Sequence, residues 1–317
     1  MLPSFLAIYR NKELNKKVNQ AIDLLNHCCL CPRKCGVDRI KDKKGFCITG
    51  YQARVFSYTS HFGEEPPVSG CRGSGAIFFS GCNMACVYCQ NYQFSQQGIG
   101  RELSCEQLAK IMLKLQDLGC HNINLVTPTH VMPQILKALL FAASLGLRIP
   151  IVYNTSGYEL PEMIKLLEDI VDIFLVDMRY AEAEMSKRYS NASDYPEYNQ
   201  AVVKQMHKQV GTAKINKQGL IEKGIIIRHL VLPGNISGTE KIMRFIAEQI
   251  SPQTYVSLMS QYLPCYKANN YPELHRRISE EEYARAKNLM LKFGLSNGWL
   301  QEKRGMSHLA GINIKPQ

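Results

Sequence analysis

The sequence lacks any apolar run long enough to cross a bilayer, and it lacks the start of a secretory signal. Its opening, MLPSFLAIYRNKELNKKVNQ, places a short apolar stretch before the basic residues, which reverses the order found in signal peptides. These two absences argue against a membrane-spanning protein and against a secreted one. We therefore expect a cytoplasmic protein with no membrane partner.

Basic segments interleaved with aromatic residues are also missing. The formal net charge is +11, but the Lys and Arg residues concentrate in short stretches such as 10–17 and 33–44. Proteins that bind nucleic acid usually spread positive charge over a patch or stripe that tracks the phosphate backbone. An ordinary solvated basic face is the simpler interpretation, and we do not expect a nucleic-acid partner.

The chain is rich in cysteine, with 12 among 317 residues. Because the cytosol keeps thiols reduced, and because thiolates are preferred ligands of zinc and iron–sulfur clusters, metal ligation explains this number better than disulfides do. The length suits one large domain with a small appendage. We expect an N-terminal helix and Cys-rich module at 1–52, a main domain at 53–300 and a tail at 301–317.

Six apolar runs follow residue 75, with amphipathic segments between them, and this alternation predicts a parallel α/β sheet. The runs are AIFFS, INLVT, IPIVY, VDIFLVD, GIIIRHLVL and TYVSLMS. Helices are expected at 11–26, 102–118, 132–145, 160–169, 198–209, 240–250 and 279–291. Six units are fewer than the eight of a closed barrel, so we expect an open, partial (β/α)6 barrel with its chemistry at the carboxyl ends of the strands.

The segment GCNMACVYCQN follows the first of these runs and contains Cys82, Cys86 and Cys89 in a Cys-x3-Cys-x2-Cys pattern. This spacing lets three thiolates converge on one [4Fe-4S] cluster while offering no fourth ligand nearby. The alternatives are a zinc site and reduced core cysteines.

Together with GSGAIFFS, NLVTPTH, PIVYNTSGY and VDIFLVDMRY, this segment resembles the radical S-adenosylmethionine (SAM) superfamily, and more closely proteins like pyruvate formate-lyase activating enzyme. The resemblance implies that SAM chelates the open iron and is cleaved to a 5'-deoxyadenosyl radical. It also implies a one-electron donor such as flavodoxin or ferredoxin, and a protein or small-molecule substrate.

Polar residues at the strand ends supply the candidates for SAM contacts. Many relatives carry Gly-Gly-Glu after the second strand, where this chain has Thr127 and Thr129 within VTPTH. Asn154-Thr155-Ser156-Gly157 is similar to the family's Asp-Thr-Asn-Gly turn, and Asp177-Met178-Arg179 to its Asp-Leu-Lys. The candidate SAM-binding residues are Tyr88, Thr127, Thr129, Asn154, Ser156, Asp177, Arg179, Gln261 and Tyr262.

Two further residues are candidates for catalysis. Arg228 lies within the fifth run, and Cys265 follows the sixth, where its thiol is placed to donate a hydrogen atom or to bind a metal. Glu64 and Glu65 precede the first run, and a solvated turn fits them as well as a place in the site.

A second cysteine group has the spacing Cys28-x2-Cys31-x3-Cys35-x11-Cys47. It supplies four ligands for zinc or for a second cluster, and free thiols are the alternative.

Three functions follow from these features. The first is hydrogen abstraction by the SAM-derived radical, with a glycine of a glycyl radical enzyme as the target that the resemblance implies. The second is radical modification of a small molecule or peptide. The third is a non-enzymatic iron–sulfur or zinc protein that binds a partner or carries electrons.

Overall fold

The computed structural model describes residues 2–301, and residues 302–317 of the expected tail lie outside the described part. The strands are β1 (Ala53–His61), β2 (Ser74–Phe79), β3 (Arg101–Leu103), β4 (Ile123–Val126), β5 (Ile151–Thr155), β6 (Ile173–Asp177), β7 (Lys214–Ile215), β8 (Ile221–Leu230), β9 (Tyr255–Met259) and β10 (Gly298–Leu300).

Helices cover the outer side of most of these strands. They are α1 (Phe5–Arg10), α2 (Glu13–Asp23), α3 (Pro66–Ser69), α4 (Tyr92–Ser95), α5 (Cys105–Asp117), α6 (Met132–Ser144), α7 (Pro161–Leu166), α8 (Ala183–Ser190), α9 (Tyr195–Val210), α10 (Thr239–Phe245) and α11 (Glu280–Lys292). Short 3-10 turns span Thr129–Val131, Pro233–Asn235, Ala268–Asn270 and Pro272–Leu274, and a π turn at Ile246–Ile250 extends α10.

The strands form one sheet in the order β10-β9-β8-β6-β5-β4-β2-β1-β3, with β7 paired to β8. The six predicted strands are β2, β4, β5, β6, β8 and β9, and all of their mutual pairings are parallel. The outermost strands of this order, β3 and β10, do not pair with each other within residues 2–301. The prediction of an open, partial barrel of α/β type is therefore confirmed.

The sheet is wider than the sequence indicated. β1 runs antiparallel to β2, β3 runs antiparallel to β1, and β10 extends the opposite side in parallel with β9. The sequence ARVFSYTSH of β1 is half-buried along its second half and has no continuous apolar run, so its pattern gave no strand signal. These added strands cover the edges of β2 and β9, which would otherwise expose unpaired backbone groups.

Alternation along β6 divides the core into two layers. Phe174 and Val176 pack outward in the main core with the helices, while Ile173 and Leu175 pack inward. Val68 of α3 lies inside the barrel with that inner layer and is fully buried. Each such side chain contributes about 1.5–3 kcal/mol to stability. This inner layer fills one part of the barrel interior. The rest of the interior, toward the carboxyl ends of the strands, is open to a site.

The predicted helices are confirmed with small shifts at their ends. α5 and α11 each begin with a capping box, formed by Ser104 with Gln107 and by Ser279 with Glu282. The N-terminal helices are not isolated from the barrel, because Phe5 and Leu14 belong to the main core. The domain boundary at 52/53 stays a prediction. No helix within residues 2–301 has the length and apolar character needed to cross a bilayer.

His229, in β8, makes the stability of the fold depend on pH. Its Nδ1 lies 2.8 Å from the Met178 carbonyl and its Nε2 lies 3.0 Å from the Thr239 hydroxyl. Burial lowers the pKa of His229 from 6.5 to about 4. Below pH 6.5 the His229 ring therefore binds a proton in the unfolded chain, whereas in the folded chain it stays neutral down to about pH 4. Proton binding to the unfolded chain favours unfolding, so the fold is most stable above pH 6.5 and loses stability as the pH falls toward 4.

We expect the free energy of unfolding to fall by about 1 kcal/mol between pH 6.5 and 5.5 through His229 alone. Chemical denaturation of the wild type and of His229→Gln at several pH values measures this as a difference in slope. The matched control is His275→Gln, because His275 is exposed. Equal slopes for the wild type and His229→Gln would show that the ring is not held neutral by the fold.

Candidate functional site

A cavity of about 480 Å³ opens at the carboxyl ends of the parallel strands, where the sequence placed the chemistry. This volume lies in the range typical of small-molecule and cofactor sites. The predicted site residues that line it are Cys86, Tyr88, Cys89, Thr127, Asn154, Ser156, Asp177, Arg179, Arg228, Gln261 and Tyr262. The fold therefore brings together side chains that are up to 176 positions apart along the chain, from Cys86 to Tyr262.

Apart from the four N-terminal cysteines, three predicted site residues do not line the cavity. Cys82 is in the same loop as Cys86 and Cys89 but is not among the residues that line the cavity. The Thr129 hydroxyl donates to Glu159 Oε1 at 2.6 Å, which turns it away from the cavity. The Cys265 thiol donates to the Tyr88 carbonyl at 3.3 Å. Thr129 is thus placed to hold another residue rather than to contact a ligand.

The loop that carries the three cysteines is held by close backbone packing. Gly81, just before Cys82, has φ of +89°, and a Cβ there would lie 2.4 Å from the Cys47 carbonyl oxygen. Only glycine fits this position without a shift of the backbone. The N-terminal cysteine module therefore packs directly on the loop that presents Cys82.

Of the three cysteines of this loop, Cys86 is buried and Cys82 and Cys89 are half-buried. Cys82 Sγ accepts from the Met84 amide at 3.4 Å, and Cys89 Sγ lies 3.2 Å from the Ser95 hydroxyl. Burial, reinforced by the neighbouring Cys86 and Cys89, raises the pKa of Cys82 to about 12. A bound metal would offset the cost of placing negative charge here, because it replaces the thiol protons.

This donor set fits an iron–sulfur cluster. Within residues 2–301, no three His, Cys, Asp or Glu side chains lie close enough together to share a single metal ion. A cubane cluster does not require that, since each thiolate binds its own iron. Three buried or half-buried cysteines from one short loop, two of them at the wall of a cavity, match a cluster with one iron open toward that cavity.

Cys86 receives the strongest polar support of the three thiols. The Arg179 guanidinium donates to Cys86 Sγ from Nη1 at 3.1 Å, and the Ser190 hydroxyl donates to the same sulfur at 3.0 Å. Ser190 is itself hydrogen-bonded to Tyr180 at 2.7 Å, and Tyr180 to Tyr88 at 2.6 Å. Sequence reasoning missed Ser190 and Tyr180, because nothing in their spacing links them to the cysteines.

Arg179 connects this thiol to the end of β6. Its Nε and Nη2 both donate to Asp177 Oδ2, at 2.9 and 2.5 Å. Burial opposes its positive charge, but Asp177 and then Cys86 raise its pKa well above the ordinary value. A permanent cation is therefore fixed 3.1 Å from the sulfur of Cys86.

Glu64 and Glu65 lie in the cavity wall rather than in a solvated turn. Arg228 donates to Glu65 through Nε at 2.7 Å and through Nη2 at 2.6 Å, and its Nη2 also contacts Glu64. Burial alone would raise the pKa of Glu65, but the Arg228 guanidinium lowers it below its ordinary value. Asn124 and Asn154 donate amide hydrogens to Glu64 at 2.9 and 3.4 Å.

Ser156 is the clearest ligand-ready group in this wall. It lines the cavity and is 6% exposed, yet its hydroxyl has no hydrogen-bond partner among the described residues. Buried hydroxyls are nearly always paired, so an unpaired one facing a cavity is available to a bound molecule. Behind it, Glu159 accepts from Thr129 and Thr155 at 2.6 Å each, and burial raises the pKa of Glu159 to about 7.

The second cysteine group forms a separate, much smaller cavity of about 10 Å³. Cys28, Cys31, Cys35 and Cys47 all line it. The predicted grouping of these four cysteines is thus what the fold produces, while the metal that they were expected to bind stays a prediction.

Comparison with known proteins places the chain in a family. The family model described as the radical SAM superfamily matches residues 76–246, more than half of the 317 residues. An uncharacterized protein of Methanocaldococcus jannaschii, MJ0674, is 32% identical over 294 residues, which cover 89% of this chain and 79% of the relative. A second uncharacterized protein of that organism, MJ0808, is 22% identical over 291 residues, covering 84% and 78%.

Among solved structures, a radical SAM methyltransferase from Sphaerobacter thermophilus superposes with a TM-score of 0.47 at 16% identity, covering 73% of this chain and 67% of the methyltransferase. The family match includes the loop of Cys82, Cys86 and Cys89, and this superfamily uses a [4Fe-4S] cluster and SAM. The chain belongs to the radical SAM superfamily of enzymes.

Proposed function

We propose that Cys82, Cys86 and Cys89 hold a [4Fe-4S] cluster whose open iron faces the cavity, and that the protein cleaves SAM there to abstract a hydrogen atom from a substrate. The observation that carries the proposal is the position of the cysteine loop: two of its three thiols line a cavity of about 480 Å³ at the strand ends. When bound, the cluster supplies one electron to the SAM sulfonium, which then yields methionine and a 5'-deoxyadenosyl radical.

The residues of the chain bind and orient SAM in this proposal. Asn154, Ser156 and Thr127 line the wall beside the cysteine loop and supply hydrogen-bonding groups for the polar parts of SAM. The rings of Tyr88 and Tyr262 line the same cavity, and both residues are at least 95% buried. Their apolar surfaces restrict the access of water to the reacting atoms.

The substrate is the open part of the proposal. Abstraction from a glycine of a glycyl radical enzyme has the sequence resemblance as its support. Radical modification of a small polar molecule has a different support, since Glu64, Glu65 and Arg228 make one wall of the cavity charged. An iron–sulfur protein that only carries electrons would have no bound molecule to contact the unpaired Ser156 hydroxyl and the other polar residues at the strand ends.

Reductive cleavage of SAM tests the proposal directly. The protein is reconstituted anaerobically with iron and sulfide, reduced with dithionite and supplied with SAM, and 5'-deoxyadenosine is measured by chromatography. We expect formation that requires both the reductant and SAM. A chain that carries a complete cluster but forms no 5'-deoxyadenosine would favour the electron-transfer alternative instead.

The hydrogen bonds to Cys86 predict an effect on the reduction potential of the cluster. Donors to a ligating sulfur stabilise the reduced, more negative state. We expect Arg179→Gln and Ser190→Ala each to lower the midpoint potential, with the larger change for Arg179, which also carries charge. EPR-monitored redox titration measures this, and Arg188→Gln, at an exposed arginine, is the control. Unchanged potentials in both variants would show that these side chains do not act on the cluster.

A further inference from the structure

The four cysteines of the N-terminal module surround one small cavity although they are spread over 20 positions, from Cys28 to Cys47. None of them is in a disulfide. Cys28, Cys31 and Cys47 are each at most 9% exposed, and Cys35 is exposed. We propose that Cys28, Cys31, Cys35 and Cys47 bind a second metal centre through their thiolates, as either a zinc ion or an iron–sulfur cluster. This inference stands independently of the function proposed for the larger cavity.

The backbone of the module is folded so that two chain segments face each other across the cavity. Cys28 and Val37 are joined by a backbone hydrogen bond of 3.0 Å, which closes the loop that contains Cys31 and Cys35. From the other side, the Phe46 amide donates to Cys35 Sγ at 3.5 Å. A Cβ at Gly45 would lie 2.8 Å from that sulfur, so the absence of a side chain there admits Cys35 to the group.

Two arginines, Arg33 and Arg39, line the same cavity as the thiols and bring positive charge to it. Arg39 is fully buried and lines the cavity, with Nη1 at 4.0 Å from Cys28 Sγ. Its other hydrogen bonds go to the neutral carbonyls of Gly50 and His130, at 3.0 and 2.7 Å. Arg39 Nη2 and Arg33 Nη2 are both buried and have no hydrogen-bond partner among the described residues.

Charge balance connects these observations. A buried guanidinium without an anion is costly, and protonated thiols do not provide an anion. A zinc ion with four thiolates, or a [4Fe-4S] cluster with four thiolates, has a net charge of about −2 for the whole centre. Arg33 and Arg39 would balance that charge. A metal centre therefore explains the four cysteines and the two unpaired arginine nitrogens together, whereas free thiols explain neither.

The two kinds of metal centre place different demands on the positions of the sulfurs. No three of these cysteines are within single-ion distance of one another in the described structure. A cluster gives each thiolate its own iron, while a zinc ion would require the four sulfurs to move closer together.

The centre would also support the loop of the larger cavity. Arg33 donates from Nε to the Asn83 carbonyl at 2.9 Å, and its guanidinium lies 3.8 Å above the Phe46 ring. Asn83 directly follows Cys82, and Asn83 Nδ2 donates to the Tyr158 carbonyl at 2.5 Å. A metal that fixes the residues around Arg33 would therefore fix the start of that loop as well.

The test uses the full chain with Cys82, Cys86 and Cys89 all replaced by Ala, so that only the N-terminal group remains. One sample is reconstituted with iron and sulfide and another is equilibrated with zinc, and both are freed of unbound metal by gel filtration. Iron, sulfide and zinc per chain are then measured. We expect this variant to retain one centre, either about four irons with sulfide or about one zinc.

Adding Cys31→Ser and Cys47→Ser to that variant is expected to abolish retention, while adding Cys71→Ala and Cys120→Ala leaves it unchanged. Cobalt binding to the variant with the N-terminal cysteines intact gives a second measurement. Bound Co²⁺ shows a thiolate charge-transfer absorption when its ligands are sulfur, so this measurement does not depend on whether the Ser variants fold. No retained metal in both samples, or metal that survives loss of Cys31 and Cys47, overturns the inference. If the wild type does not cleave SAM but the variant without Cys82, Cys86 and Cys89 still retains metal, only the proposed function is overturned.

Discussion

Replacing Cys86 by Ala is expected to remove the iron–sulfur cluster and to lower 5'-deoxyadenosine formation by more than about 100-fold. Loss of even an outer partner of a metal ligand typically costs about 10–100-fold, and Cys86 is proposed as a ligand itself. Its sulfur also accepts hydrogen bonds from Arg179 and Ser190, so two donors lose their acceptor in the same variant. Iron analysis and chromatography of the reaction products measure the two effects.

The matched control is Cys71→Ala, which removes an exposed thiol that does not line the cavity. It should retain the iron content and the activity of the wild type. Replacement of Cys82 or Cys89 should reproduce the loss seen for Cys86. Full activity in any of these three variants would contradict the assignment of that cysteine as a cluster ligand.

Replacing Arg228 by Met is expected to destabilise the fold by about 3–5 kcal/mol, because it leaves two buried carboxylates without their cation. The side chains of Glu64 and Glu65 are each 5% exposed, and both contact Arg228. Chemical denaturation at neutral pH measures the change in the free energy of unfolding. The loss should be partly recovered when Glu64→Gln and Glu65→Gln are added, since the uncompensated charges are then gone.

An exposed ion pair provides the comparison. Lys241 and Glu182 lie 2.5 Å apart, but their side chains are 71% and 47% exposed, so Lys241→Met should cost only about 0–1 kcal/mol. An equally small loss for Arg228→Met would show that water reaches the Glu64 and Glu65 carboxylates in the folded protein.

The sequence predicted the parts of the fold that have a strong periodic signal. The six parallel strands are nearly continuous apolar runs, because both faces of a parallel sheet are buried, and such runs are visible in a single sequence. Strand β1 and the short strands β3, β7 and β10 lack this pattern. Each of them forms by pairing with the edge of another strand: β1 with β2, β3 with β1, β7 with β8 and β10 with β9. Those edges exist only in the tertiary structure.

The candidate site divides in the same way. The cysteine spacing and the polar strand ends can be read locally, and most of those residues line one cavity. Ser190, Tyr180 and the Glu64–Glu65–Arg228 group could not be read locally, since their partners lie 104, 92 and more than 160 positions away. Thr129 shows the opposite case, because its position at a strand end suggested a ligand contact, whereas its hydroxyl binds Glu159.

The central claim is that Cys82, Cys86 and Cys89 leave one iron of a [4Fe-4S] cluster open to SAM. The most direct test is the EPR spectrum of the dithionite-reduced, reconstituted protein, recorded with and without SAM, in a variant whose N-terminal cysteines Cys31 and Cys47 are replaced by Ser. Since SAM would coordinate an iron of the cluster, we predict that its addition shifts the g values. A complete reduced cluster whose spectrum is the same with and without saturating SAM would contradict the claim.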